Sequence, residues 1–102
     1  MAELTEREFS KHVNSKFHLA VNDHNLQLEL VEVKAYRAGE HEQQGMERFS
    51  ALFNGPGNVV LPQATYHLSH DQMGDFEVFL VPVSDGQRGY QYEAVFNYFK
   101  HR

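Results

Sequence analysis

The sequence predicts a single, mainly β domain spanning residues 1–102: a small six-stranded antiparallel barrel or orthogonal sandwich with one short N-terminal α-helix. Three observations predict it. A helix-start signal opens the chain at Leu4–Phe9, apolar residues recur at every second position from Phe17 onward, and clusters of Asp, Asn and Gly interrupt that alternation at short intervals.

In the stretch Leu4-Thr5-Glu6-Arg7-Glu8-Phe9, Thr5 and Glu8 stand at capping-box spacing and Leu4 and Phe9 form a hydrophobic staple. The helix should run to about Val13 and end near Asn14-Ser15, with Phe9 and Val13 on one face. A helix this short is not stable alone, so it must dock.

Phe17, Leu19 and Val21 alternate with polar or small residues. Asp23-His24-Asn25 then supplies a turn before a long strand from Leu26 to about Tyr36, making a hairpin. Within that second strand Leu26, Leu28 and Leu30 hold one phase while Val31, Val33 and Ala35 hold the other. One extra residue near Leu30-Val31, a β-bulge, reconciles them and bends the strand. The polar segment from Arg37 to Met46 reads as an exposed loop. Phe49, Ala51 and Phe53 mark a third strand, ended by Gly55-Pro56-Gly57-Asn58. Val59-Val60-Leu61-Pro62 is apolar but proline-terminated and reads as an edge segment or packed loop. Strands over Thr65–His70, Phe76–Val83 and Tyr90–Phe99 follow, separated by turns at 71–74 and 84–89. No internal repeat or low-complexity run is present in the sequence.

Composition narrows the function classes. A chain of 102 residues buries roughly 65% of its unfolded surface, enough for one core. Its formal charge of −5 repels phosphates and anionic headgroups, so neither nucleic acid nor a membrane is an expected partner. Seven histidines would carry that charge to about +2 if all were protonated, so the argument applies near neutral pH. The absence of cysteine removes disulfides, zinc-thiolate sites and thiol nucleophiles. A charged N-terminus and the lack of any long apolar run point to a soluble, cytoplasmic protein.

Candidate chemistry is sparse. His67-Leu68-Ser69-His70-Asp71 holds metal-ligand residue types, and His67, His70 and Asp71 form the alternative reading: a small-ligand or metal-binding, even hydrolytic, corner. Residues three apart on a strand face opposite sides, however, so the two histidines converge only if the strand ends between them. The bland reading makes His67 a solvent-face residue and His70 the start of a turn. Gly39-Glu40-His41-Glu42 offers ligands from a loop with no scaffold, without the second histidine of a zincin helix. Glu29, Glu32, Glu77 and Glu93 take the polar slots of alternating strands, and no serine has the flanks of a nucleophile elbow. No cofactor is expected, and the protein reads as a non-enzyme.

The late strands carry an apolar surplus. Phe76, Val78 and Leu80 lie on one face of the fifth strand, but Phe79, Val81 and Val83 lie on the other; Val95 and Phe99 likewise interrupt the polar face of the sixth. Two readings compete. In the first, Phe9 and Val13 of the helix and the Val59–Leu61 loop cover that second face. In the second, Phe79, Val81, Val83, Val95 and Phe99 form an interaction patch for a protein partner or a homo-oligomer. An apolar ligand inside six aromatic-filled strands has little room.

The strings Phe49-Ser50-Ala51-Leu52-Phe53-Asn54-Gly55-Pro56, Leu61-Pro62-Gln63-Ala64-Thr65-Tyr66-His67-Leu68-Ser69-His70, Val78-Phe79-Leu80-Val81-Pro82-Val83 and Tyr92-Glu93-Ala94-Val95-Phe96-Asn97 resemble a family of small uncharacterised bacterial proteins, a domain of unknown function. Leu4-Thr5 and Leu28-Glu29-Leu30-Val31-Glu32-Val33 fit as well, so the resemblance spans nearly the whole chain, with Arg37–Met46 least alike. The family's association with phage-tail-like collar and fibre genes implies an accessory or assembly role. It implies no catalytic residues.

Overall fold

Thr5 is extended (φ −120°, ψ 161°), and its Oγ1 accepts the backbone N–H of Glu8 at 3.1 Å, starting helix α1 (Glu6–Ser10) as the capping signal predicts. The other cap comes from far along the chain, for Glu6 N donates to the Glu47 carboxylate at 2.9 Å, while the Glu8 carboxylate accepts Lys11 Nζ at 3.0 Å. The computed structural model describes residues 4–21, 23–35, 46–84 and 89–99, with only the backbone of Met46, Ser84 and Phe99. The segment predicted as a loop therefore lies outside the described residues up to Met46, as do 85–88 of the last predicted turn.

α1 stops at Ser10, sooner than the apolar spacing suggests. Lys11 N and His12 N turn back to the carbonyls of Glu8 and Phe9, tightening the last turn, and Asn14 at φ 77° redirects the chain into the first strand. Leu30 then ties down this exit: its N–H donates to Ser15 O at 3.1 Å and its carbonyl accepts Asn14 N at 2.6 Å.

Six strands follow: β1 (Lys16–Val21), β2 (His24–Ala35), β3 (Met46–Asn54), β4 (Ala64–His70), β5 (Gly74–Ser84) and β6 (Gln91–Phe99). They close into an antiparallel barrel in the order β1-β2-β3-β6-β5-β4. The first hairpin is tighter than predicted, with Val21 opposite His24 and Asp23 left-handed at φ 68°.

β2 and β5 each serve two partners. β2 pairs β1 through its first half and β3 through its second, and the register slips between Leu30 and Glu32, where the phase change places the extra residue. β5 pairs β4 from Gly74 to Leu80 and β6 from Val81 to Ser84, with its own slip between Pro82 and Ser84. The barrel is thus two three-stranded meanders, each with a long bent middle strand. This topological repeat has no counterpart in the sequence.

Inward side chains fill the interior. Phe9 reaches in from α1 and packs within 5.3–6.2 Å, ring centre to ring centre, of Phe17, Phe49, Phe76 and Phe96, while Phe49 and Phe96 stack at 4.6 Å. Tyr92 is fully buried and its hydroxyl accepts the Leu61 N–H at 2.9 Å, so the 59–62 segment is a packed loop rather than a strand. Tyr98 donates its hydroxyl to Leu4 O, holding the entry of α1 against β6.

Candidate functional site

β5 places Phe76, Val78 and Leu80 in the core, and the two-residue period sends Phe79 and Val83 outward, 48% and 45% exposed. Val81 is half-buried on the same side, and Val95 projects from β6 at 60% exposure. The predicted cover is absent: Phe9 enters the barrel beneath these strands, and α1 lies over β2 and β3. The helix and the 59–62 loop therefore do not shield this face, because burying Phe9 among the inward rings takes the helix to the barrel interior. Of the five predicted patch residues, Phe79, Val81, Val83 and Val95 lie on the outer surface of β5 and β6; the Phe99 side chain lies outside the described residues. Val60, predicted as part of the cover, is itself 54% exposed on the segment whose Leu61 is buried.

The His67/His70/Asp71 corner is not assembled. His67 points out beside Asp75, Nε2 to Oδ2 3.6 Å, whereas His70 points in. Both ring nitrogens of His70 are engaged. Nδ1 accepts the N–H groups of Gln72 (3.0 Å) and Met73 (3.1 Å), which makes Nε2 the protonated nitrogen, directed to Ser15 Oγ at 2.9 Å. Ser15 Oγ in turn donates to His12 O at 2.5 Å. His70 rather than Asp71 thus caps the three-residue turn to Gly74, whose φ is 81°, and Asp71 is exposed. Burial above all, then the neighbouring His12 ring, lowers the His70 pKa; Asp71 opposes this, and His18 adds slightly to it.

Other titratable groups sit where the alternation put them. Glu32 and Glu77 are exposed, and Glu29 and Glu93 are half-buried on outward faces. A broad groove of about 570 Å³ crosses the outer β1–β2–β4 surface, lined by His18, Ala20, Gln27, His67 and Ser69. Among the described residues no three His, Asp or Glu side chains converge as metal ligands. No described helix is long and apolar enough to cross a membrane, which says nothing of strands.

The family model described as a domain of unknown function, DUF6916, matches residues 4–96, from the capping segment of α1 to within β6. The chain belongs to this family. The DUF6916 match covers the outward residues Phe79, Val81, Val83 and Val95 as well as the His70 turn. No curated protein matches the chain, and no solved structure does.

One feature of this surface has no signal in the sequence: among the described residues β5 pairs β4 over Gly74–Leu80 and β6 from Val81 to Ser84. Strand alternation predicts which side chains face out, but not which backbone edges find partners.

Proposed function

We propose that this DUF6916 domain is a non-enzymatic interaction module that binds a protein partner, or a second copy of itself, through the outer face of β5 and β6. The observation that carries the reading is the exposure of Phe79, Val83 and Val95 on a barrel whose interior is already filled. Aromatic and branched apolar side chains presented together supply contact area at little entropic cost. The setting is cytoplasmic, for which the lack of cysteine is the supporting feature. An accessory or assembly role in a bacterial phage-tail-like structure is the finer form of the proposal, and components of such structures are the first partners to test.

Nothing in the geometry favours the alternative of a ligand or metal held by His67, His70 and Asp71, since the two histidines lie on opposite faces. The test is the solution state. Sedimentation of the purified domain at micromolar concentration, alone and mixed with candidate partners, should show a dimer or a defined complex. The Phe79→Ser/Val83→Ser/Val95→Ser variant should abolish it. A domain that stays monomeric with every candidate, or an assembly indifferent to the triple variant, refutes the proposal.

A further inference from the structure

One run of hydrogen bonds joins the β4–β5 turn to the exit of α1, and every link in it points the same way. Gln72 N–H and Met73 N–H donate to His70 Nδ1 at 3.0 and 3.1 Å, His70 Nε2 meets Ser15 Oγ at 2.9 Å, and Ser15 Oγ donates to His12 O at 2.5 Å. Ser15 has given its one hydroxyl proton to His12 O, so toward His70 it accepts, and the ring is neutral with its proton on Nε2. A second proton has only Nδ1 to go to, where two N–H groups already point at the lone pair. Imidazolium has no acceptor, so His70 cannot take up a proton and keep the turn.

His70 is buried between the rings of Phe17 and His12, 4.4 and 4.6 Å away between centres. The titratable groups that face it are His12 from the exit of α1, His18 from β1 and Asp71 from the turn. Behind His12 stands the Glu8 carboxylate, 3.9 Å from its Nε2 and bonded to Lys11 Nζ at 3.0 Å. The Asp71 carboxylate is exposed and screened by water, so it offsets little of what the turn loses.

The turn is the part that moves. Leu30 holds the other side of the junction, donating to Ser15 O at 3.1 Å and accepting from Asn14 N at 2.6 Å, and neither bond involves His70. The β4–β5 ladder from Ala64↔Leu80 to Ser69↔Asp75 is likewise built without the ring. Gly74, at φ 81° opposite His70, ends the turn on a residue with the backbone freedom to swing. Between them sits Met73, fully buried, whose N–H is one of the two on Nδ1.

We propose that His70 is a proton-operated latch: uptake of one proton frees residues 71–73 and brings the Met73 side chain to the surface while the six strands stay paired. Its parts lie at the α1 exit and the β4–β5 turn, so it does not rest on the interaction reading above. The open form binds one proton more than the closed form. Its share is therefore constant above about pH 6.5 and rises by up to about tenfold for each pH unit below. Acid thus exposes a flexible, apolar thioether at the α1 end of the barrel.

The test is hydrogen exchange of the full chain, followed residue by residue from pH 7.5 to 5. Intrinsic amide exchange slows about tenfold per pH unit over this range. For Gln72 and Met73 the growing open share should offset that slowing, keeping their rates within about threefold between pH 6.5 and 5. His70→Gln, whose amide oxygen accepts N–H groups without titrating, should restore the tenfold slowing. Amides of the β2–β3 and β3–β6 ladders should exchange at least about tenfold more slowly than these two at every pH. Oxidation of Met73 by hydrogen peroxide, read by mass spectrometry relative to free methionine, needs no variant and should quicken about fivefold from pH 6.5 to 5.5. Any one of four results overturns the latch. The two turn amides follow the intrinsic slope in the unsubstituted chain, His70→Gln keeps the flat profile, the turn is as protected as the ladders, so that it opens only by global unfolding, or Met73 reacts at an unchanged relative rate.

Discussion

A methyl group added at Gly89 would stand 2.1 Å from the Gly55 carbonyl oxygen, and the φ of 129° at Gly89 disfavours any L side chain. The chain crosses itself here, with Gly55 N donating to Tyr90 O at 2.8 Å. Gly89→Ala should lower stability by at least about 2 kcal/mol in urea denaturation, because the clash is with backbone that has no rotamer to escape into. A loss under about 0.5 kcal/mol would mean that the two segments part easily. His70 makes a pH-dependent case. Its neutral ring accepts two turn N–H groups, and burial lowers its pKa below the ordinary 6.5. The unfolded chain therefore binds the proton first as pH falls, so this stabilisation is complete above pH 6.5 and is lost as pH drops from there toward the lowered native value. The groups facing it are His12, 4.6 Å away between ring centres, with His18 and Asp71 also coupled to it; Glu8 lies 3.9 Å from His12. In stability curves from pH 7.5 down, His70→Gln should flatten the decline below pH 6.5, and an unchanged slope would assign that decline to other groups.

Among the elements, β2 depends on one inserted residue. Leu30 pairs Phe53 and Glu32 pairs Leu52, so Val31 is the unmatched position. Deleting Val31 keeps every later side chain on its present face but straightens the strand that must turn from β1 to β3. The deletion should therefore destabilise far more than Val31→Ala, which costs about 1 kcal/mol for a half-buried valine. Equal effects of the two changes on thermal unfolding would show that the bend is not needed. The bulge was legible because the apolar phase changes inside one strand. The slip between Pro82 and Ser84 was not, since β5 is apolar on both faces and a phase change leaves no mark there.

For the whole molecule, closure decides the surface. Outward residues of β5 and β6 sit over a filled barrel, so Phe79→Ser/Val83→Ser/Val95→Ser should fold and lose less than about 2 kcal/mol in total while changing association. A much larger loss in thermal melts would place these side chains in the fold instead of on a contact surface. Four of the five predicted patch residues were legible as outward positions, because alternation is a property of each strand alone. That neither α1 nor the 59–62 segment covers them was not legible, because it depends on where Phe9 goes.

The sequence by itself determined the helix start, the six strands, the bulge in β2 and the outward placing of Phe79, Val83 and Val95, for these are set by local periods, caps and turn residues. Only the tertiary structure decided the strand order, the route of Phe9 into the barrel, the turning of His70 inward against Ser15, and the point at which β5 passes from β4 to β6. Each of these depends on contacts between residues tens of positions apart, and no local pattern encodes which partner a backbone edge will meet.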